Sequence, residues 1–293
     1  MGQYPTFFNR NKEAIPIFKR ILTGLIGAAV LIFVLIEGRF LLTLGVIAIS
    51  IISMWEFYRA VGLTGKNKLL CVLGIWGSCA IAILAAYQLS GNPLIRGEFL
   101  MLTGFAYIIS LFVIMLVKHK NIKLADIALI IIGGVYVAYL LTHIILVRNL
   151  ELGHFLVWLI FLGAFMTDTF AYFTGIFFGK RKLCPEISPK KTIVGAVGGT
   201  LGCGLSFVLF GVILQQFQPE LSANLPLMFA FGLICALAAQ IGDLTASIIK
   251  RQYNVKDFGR ILPGHGGLLD RFDSILLVAP TVFVFLSHIE VIV

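Results

Sequence analysis

Long apolar runs separated by short polar connectors dominate the chain. The pattern predicts nine membrane-crossing helices, at residues 21–36, 40–57, 69–89, 99–117, 124–147, 155–178, 193–214, 225–246 and 275–293. A helix rises about 1.5 Å per residue, so about 20 apolar residues cover a hydrocarbon core of about 30 Å. Apolar character runs round most of these segments, so periodicity does not tell which faces meet. The two longest polar connectors are 179–192 and 247–274. No internal repeat or low-complexity tract interrupts the series. The expectation is an all-α polytopic integral membrane protein of about nine transmembrane helices, forming one domain over 1–293, with a polar segment at 1–20.

Composition supports this class. Of the 293 residues, 59% are hydrophobic and 13% are charged, and the mean hydropathy is +0.99. A soluble domain is about 25% charged, so this chain lacks the polar surface to cover a globule in water. The net charge of +9 would raise nucleic-acid binding for a soluble protein. Here its distribution has a simpler reading, and no nucleic-acid partner is expected. With the N-terminus inside and nine crossings, only Arg39, Arg96 and Arg148 of the 23 basic residues fall outside. Basic residues favour cytoplasmic loops. The count therefore predicts N-in and C-out, with both long connectors on the cytoplasmic side of a cell (inner) membrane. Cys71, Cys79, Cys184, Cys203 and Cys235 lack metal-ligand spacing; four fall in apolar segments, where cysteine acts as a small hydrophobe. The opening residues do not read as a cleaved leader, so the first helix is expected to be retained.

The acidic residues carry the chemistry. A charge within a membrane segment is costly and usually functional. Asp168 lies inside the sixth run, Asp243 near the inner end of the eighth, and Asp270 and Asp273 just before the ninth. Asp243, Ser247 and Lys250/Arg251 share one helical face by spacing, as do Asp270 and Asp273, which flank Arg271. Carboxylates near lysines and arginines suit a metal-bound polyphosphate, because hard oxygens hold Mg²⁺ and cations neutralise phosphate. Intramembrane ion pairing, such as Asp243 with Lys250, is the alternative. Between the acidic pairs lies Leu262-Pro263-Gly264-His265-Gly266-Gly267. It reads either as an anion-binding nest or as an ordinary turn. Asp168, Tyr172, Gly175 and Gly179 form a second cluster. Its glycines suit helix packing, and Ser188-Pro189-Lys190-Lys191-Thr192 follows it. Gly195, Gly198 and Gly199 then open the seventh run.

Residues 247–273, SIIKRQYNVKDFGRILPGHGGLLDRFD, resemble the signature of the phosphatidate cytidylyltransferase (CDP-diacylglycerol synthase) family, S-x-x-K-R-x4-K-D-x-G-x2-L-P-G-H-G-G-x-x-D-R-x-D. Every fixed position is filled. Asp168-Thr-Phe-Ala-Tyr172, Gly179-Lys180 and Ser188–Thr192 resemble upstream elements of that family, and Trp55-Glu56-Phe57-Tyr58 a weaker one. In one departure, Val194 stands where the family commonly has Glu.

The resemblance implies transfer of CMP from CTP to phosphatidate, giving CDP-diacylglycerol and pyrophosphate, with residues 155–293 as the catalytic part. It implies Mg²⁺, with a second cation as an option, held by Asp243, Asp270 and Asp273. Lys250, Arg251, Lys256 and Arg271 would hold phosphates, and His265 would orient pyrophosphate, protonate it or steady the loop. Asp168, Tyr172, Ser188, Lys190, Lys191, Thr192, Ser247, Gly264, Gly266 and Gly267 would line the substrate site. Membrane lipids are expected neighbours, and a homodimer is left open. Two rivals from other classes are an ion-coupled transporter using Asp168 and Asp243, and a different membrane phosphotransferase. The CDP-alcohol phosphotransferase pattern is not found in the sequence.

Overall fold

The computed structural model describes residues 17–89, 97–262, 264, 266–289 and 291–292. His265, Pro263 and most of the 1–20 segment lie outside the described residues. The helices, numbered in chain order, are α1 (Ile17–Glu37), α2 (Arg39–Ala60), α3 (Leu63–Lys66), α4 (Lys68–Leu89), α5 (Gly97–Val117), α6 (Leu124–Gly133), α7 (Leu140–Asn149), α8 (Gly153–Phe178), α9 (Ile193–Phe217), α10 (Leu225–Gln252), α11 (Leu269–Phe272) and α12 (Ile275–Leu286). A π-helical turn, Gly134–Tyr139, joins α6 to α7 into one continuous rod. The only sheet among the described residues is a small antiparallel hairpin, β1 (Lys182–Cys184) and β2 (Ser188–Thr192), between α8 and α9.

Seven helices among the described residues are long and apolar enough to cross a membrane, with Leu124–Asn149 counted as one. Two further apolar helices are shorter: Leu22–Glu37, the apolar part of α1, and Ile275–Leu286. The expected ninth crossing at 275–293 is therefore corrected. The α12 helix has 12 residues, which cover about 18 Å against a core of about 30 Å. The chain then turns, and Ile292 forms an isolated bridge with Ala223 in the α9–α10 connector. Ile292 thus lies at the end of the bundle opposite the α10–α11 loop, and residues 287–289 before it are not helical. The sequence looked helical because most of these residues are apolar, although Ser287 and His288 interrupt the run where the helix gives way to an exposed turn.

Small residues set the helix spacing. The α9 helix packs between α8 and α10, and α12 packs against α7, α8 and α10. A Cβ on Gly199 would come 2.7 Å from the Thr167 carbonyl, and one on Gly195 would come 2.7 Å from the Ala171 carbonyl. Small residues let helix backbones approach this closely, so the glycines that open α9 serve packing against α8. Phe207 meets Phe231 edge-on at 5.3 Å, and Phe231 stacks on Phe285 at 4.0 Å. By contrast, α5 buries only Leu111 and exposes Phe99, Met101, Leu102, Phe105 and Leu116. An apolar helix with that surface belongs against lipid.

Candidate active site

Asp168 and Asp243 lie well inside their helices. Phe178 ends α8 ten positions beyond Asp168, about 15 Å, and Gln252 ends α10 nine positions beyond Asp243, about 14 Å. The two carboxylates therefore stand in one layer, below the helix ends. The short α12 starts in that layer as well: a Cβ on Gly242 would come 2.7 Å from the Asp273 carbonyl. The polar loop after α10 folds back into the bundle before α12 begins. Irregular backbone at that depth is stable only where protein or a water-filled recess satisfies it.

The recess gathers Asp168, Asp243 and Asp273. Lys191, from the end of β2, pairs with Asp243. Ser247 lies 3.5 Å from Asp243 Oδ1, and Ser274 lies 3.5 Å from Asp168 Oδ2. Asp273 feels the charges of Asp243, Lys250 and Asp168. Burial first, and then the Asp243 carboxylate, push the Asp273 carboxyl up to about 7. Negative charge is thus crowded here beyond what Lys191 and Lys250 relieve. Tyr136, carried into the layer by the π turn, feels Asp273 and Asp243, and among the described residues its buried hydroxyl has no hydrogen-bond partner. π turns recur at functional sites.

Asp270 sits differently. It is 7% exposed. Its Oδ1 accepts from Lys250 Nζ at 2.8 Å, and its Oδ2 accepts from the Phe258 N–H at 2.8 Å and the Gly267 N–H at 3.0 Å. Lys250 also lies 5.3 Å over the Phe258 ring. Both oxygens of Asp270 therefore brace the loop that follows α10. In that loop Gly264 (φ +79°) and Gly266 (φ +86°) adopt the left-handed conformation, which costs a Cβ-bearing residue about 1–2 kcal/mol. The Leu262 N–H donates to the Gly266 carbonyl at 3.0 Å and closes the turn.

The structure brings Asp168, Asp243, Asp273, Lys191, Ser247 and Lys250 together, with Asp270 adjoining through Lys250. Thr192 caps α9 by accepting from the Gly195 N–H at 3.1 Å. Ser188 lies in β2, and Arg251 Nε reaches the Ile187 carbonyl at 3.3 Å, tying the hairpin to α10. Lys190, Lys256 and Arg271 are exposed, as is Tyr172 at 64%. Among the described residues, none of these four makes a hydrogen bond or ion pair with the carboxylates, although the Arg271 charge acts on Asp168. Lys250 pairs with Asp270 rather than with Asp243.

Sequence reasoning gave no role to three residues here: Glu56, which entered only within the weaker Trp55–Tyr58 element of the family resemblance, Arg59 and Tyr136. The available signal for Glu56 was its place inside an apolar run, the same signal that drew attention to Asp168. The Glu56 side chain is fully buried, and its Oε2 accepts from the Leu269 N–H at 2.9 Å.

Among the described residues, no three His, Cys, Asp or Glu side chains close around a single ion. That arrangement still fits Mg²⁺, which keeps several waters and is usually held by one or two carboxylates together with substrate phosphates. The crowded carboxylates of Asp243 and Asp273 have the chemistry of such a donor pair.

Fold and site define a class: a polytopic membrane protein with a carboxylate-rich polar cluster one layer inside its helix ends. The chain belongs to the Cytidylyltransferase family, which it matches over residues 18–289. It is 34% identical to a phosphatidate cytidylyltransferase of Bacillus subtilis (strain 168) over 276 residues, covering 92% of this chain and 97% of that protein. It is 32% identical to one of Staphylococcus haemolyticus over 267 residues, covering 91% and 98%. The match to one of Rickettsia typhi is 39% identical over 170 residues, covering 58% and 75%.

Proposed function

We propose that this chain transfers CMP from CTP to phosphatidate, releasing pyrophosphate and forming CDP-diacylglycerol. The observation that carries this reading is the recess itself, where Asp168, Asp243 and Asp273 meet Lys191 and Lys250 at the head of a loop with the family's full signature. The relatives of near-equal length are phosphatidate cytidylyltransferases.

The phosphomonoester of phosphatidate attacks the α-phosphorus of CTP. A new P–O bond forms, the bond from the α-phosphorus to the bridging oxygen breaks, and pyrophosphate leaves with that electron pair. The nucleophile is already anionic near neutral pH, given a second pKa of about 6 for a phosphomonoester, so no strong base is required. The difficulty is bringing two anions together. Lys191 and Lys250 reduce that repulsion, and the exposed Lys190, Lys256 and Arg271 extend the positive surface toward the loop mouth. Asp243 and Asp273 would hold Mg²⁺, with Asp270 available as a further ligand if Lys250 turns to phosphate. Bound there, the metal supplies charge neutralisation and orientation for the phosphates. The recess faces the cytoplasm in this reading, supported by the basic residues on its side of the bundle. Lipid meets the bundle along faces such as α5.

The test uses purified protein in mixed micelles with phosphatidate and radiolabelled CTP. Label should enter the lipid fraction only with Mg²⁺ present, and CTP should outcompete ATP and UTP. Label retained in the aqueous fraction under all conditions would sink the reading.

A further inference from the structure

The short helix α11 carries Asp270 and Arg271 and leads directly to Asp273. Its own N-cap position is Leu268, in a helical conformation with no side-chain cap. The first N–H groups of a helix need acceptors, and leaving one buried without a partner costs about 1–3 kcal/mol. The acceptor comes from elsewhere: Glu56 Oε2, on α2, takes the Leu269 N–H from 213 positions away.

The loop is shaped to admit that carboxylate. A Cβ on Gly259 would strike Glu56 Oε1, and one on Gly267 would come 2.5 Å from Glu56 Oε2. Two glycines of the signature therefore serve as the seat of a side chain from α2. Three neighbouring contacts reinforce the dock. Arg59, one turn on, donates to the Phe258 carbonyl at 3.2 Å, the Phe57 and Phe258 rings lie 6.4 Å apart, and Phe258 N–H is itself held by Asp270. Among the described residues, Glu56 Oε1 is buried with no hydrogen-bond partner. A fold that needed only packing here would place a methylene chain, not a carboxyl with one oxygen unsatisfied.

We propose that Glu56 is a positioning residue: by capping α11 from α2 and filling the seat between Gly259 and Gly267, it fixes where Asp270, Arg271 and Asp273 stand. This rests on the reading that the recess binds Mg²⁺ and substrate phosphates. Glu56 acts through α11 and touches no substrate.

The experiment compares Glu56→Ala, Glu56→Gln and Glu56→Asp in the full-length protein in lipid micelles. Three quantities are read: amide hydrogen exchange over residues 256–270, the Mg²⁺ concentration for half-maximal turnover, and KM for CTP. Glu56→Ala should speed exchange across the loop and raise both kinetic values by about tenfold. Glu56→Gln keeps an acceptor for the Leu269 N–H and should stay within about threefold of the parent. Glu56→Asp draws the carboxylate back by one methylene and should fall between the two. If Glu56→Ala does not fold, the contrast between Gln and Asp carries the result. Exchange in the loop unchanged in Glu56→Asp and Glu56→Ala overturns the capping role, whatever the reaction. Faster exchange with unchanged Mg²⁺ dependence and KM reduces Glu56 to a fold residue and overturns the positioning role. A parent protein that turns over no CTP overturns the proposed function, and the exchange data still decide the cap.

Discussion

Two sets of carboxylates stand in neighbouring positions and are built in opposite ways. Asp270 is buried, and both its oxygens are engaged by Lys250 and by two backbone N–H groups. Glu56, beside it, is buried as well and caps α11. Asp168, Asp243 and Asp273 instead face one recess, Asp168 exposed and the other two half-buried. The first set is spent on the protein's own backbone, through three N–H groups in all, and so shapes the loop. The second keeps more negative charge than its lysines pair, and it is the set proposed above to hold a cation. Electrostatic work is done where charge is left incompletely satisfied, and the braced set keeps that incompleteness from relaxing away.

The contrast breaks if substitutions in the two sets behave alike. The largest effect is expected for Asp243→Asn. Turnover should fall about 100- to 1,000-fold, the range seen when a preorganised charge-stabilising group is removed, while the thermal unfolding midpoint in detergent stays near that of the parent. Asp273→Asn should do the same. Asp270→Ala is expected to differ in kind. It strands Lys250 and two N–H groups in a buried site, and removal of one partner of a buried pair costs about 3–5 kcal/mol. Unfolding measured by a thermal shift should reveal that loss. An Asp270→Ala protein as stable as the parent would remove the distinction between the two sets.

How much of this was legible in the sequence follows from the same contrast. Asp168 and Asp243 were visible because charge inside an apolar run has few structural uses. Asp270 and Asp273 were visible as a pair at one spacing, but the division of labour between them was not. It depends on Lys250 turning toward Asp270 and on Lys191, sixty positions upstream of Arg251, reaching Asp243. Ion-pair choice is a tertiary property, and helical spacing equally allowed Lys250 to meet Asp243. The glycines of the loop divide likewise. Gly264 and Gly266 use positive φ, as a turn requires, whereas Gly259 and Gly267 make room for Glu56, a partner that no local pattern could name. The short α12 escaped because the apolar character of 275–286 outweighed the polar Ser287-His288 step at which the helix ends.

A smaller effect, set by pH, separates the two sets further. Asp273 titrates at about 7 in the fold, above its ordinary 3.8. The folded chain therefore binds more protons than the unfolded chain between those values. The contribution of Asp273 to stability is present at low pH and is lost as pH rises through about 7. Metal binding runs the other way, because a ligand carboxyl must be deprotonated. The Mg²⁺ concentration for half-maximal turnover should rise as pH falls below about 7, approaching about tenfold per pH unit for one competing proton. Asp273→Asn should flatten that dependence. A profile of the parent that is flat from pH 8 to pH 5.5 would place Asp273 outside the metal site.

The smallest effect concerns Val194, the one departure from the family pattern that the sequence resembles, which commonly has Glu at this place. It is the second residue of α9, 40% exposed, and the first turn of α9 contains no acidic residue. A carboxylate there meets the positive end of the helix dipole, an interaction of about 0.3–1 kcal/mol near a surface. The ligand-like acids stand elsewhere: Asp243 on α10, Asp168 on α8 and Asp273 before α12, and the nearby Lys191 is already committed to Asp243. Val194→Glu should therefore raise the unfolding midpoint slightly and leave turnover within about threefold of the parent. A gain in turnover of tenfold or more, with a lower Mg²⁺ requirement, would move the start of α9 into the recess and make Lys191 a shared rather than a private partner of Asp243.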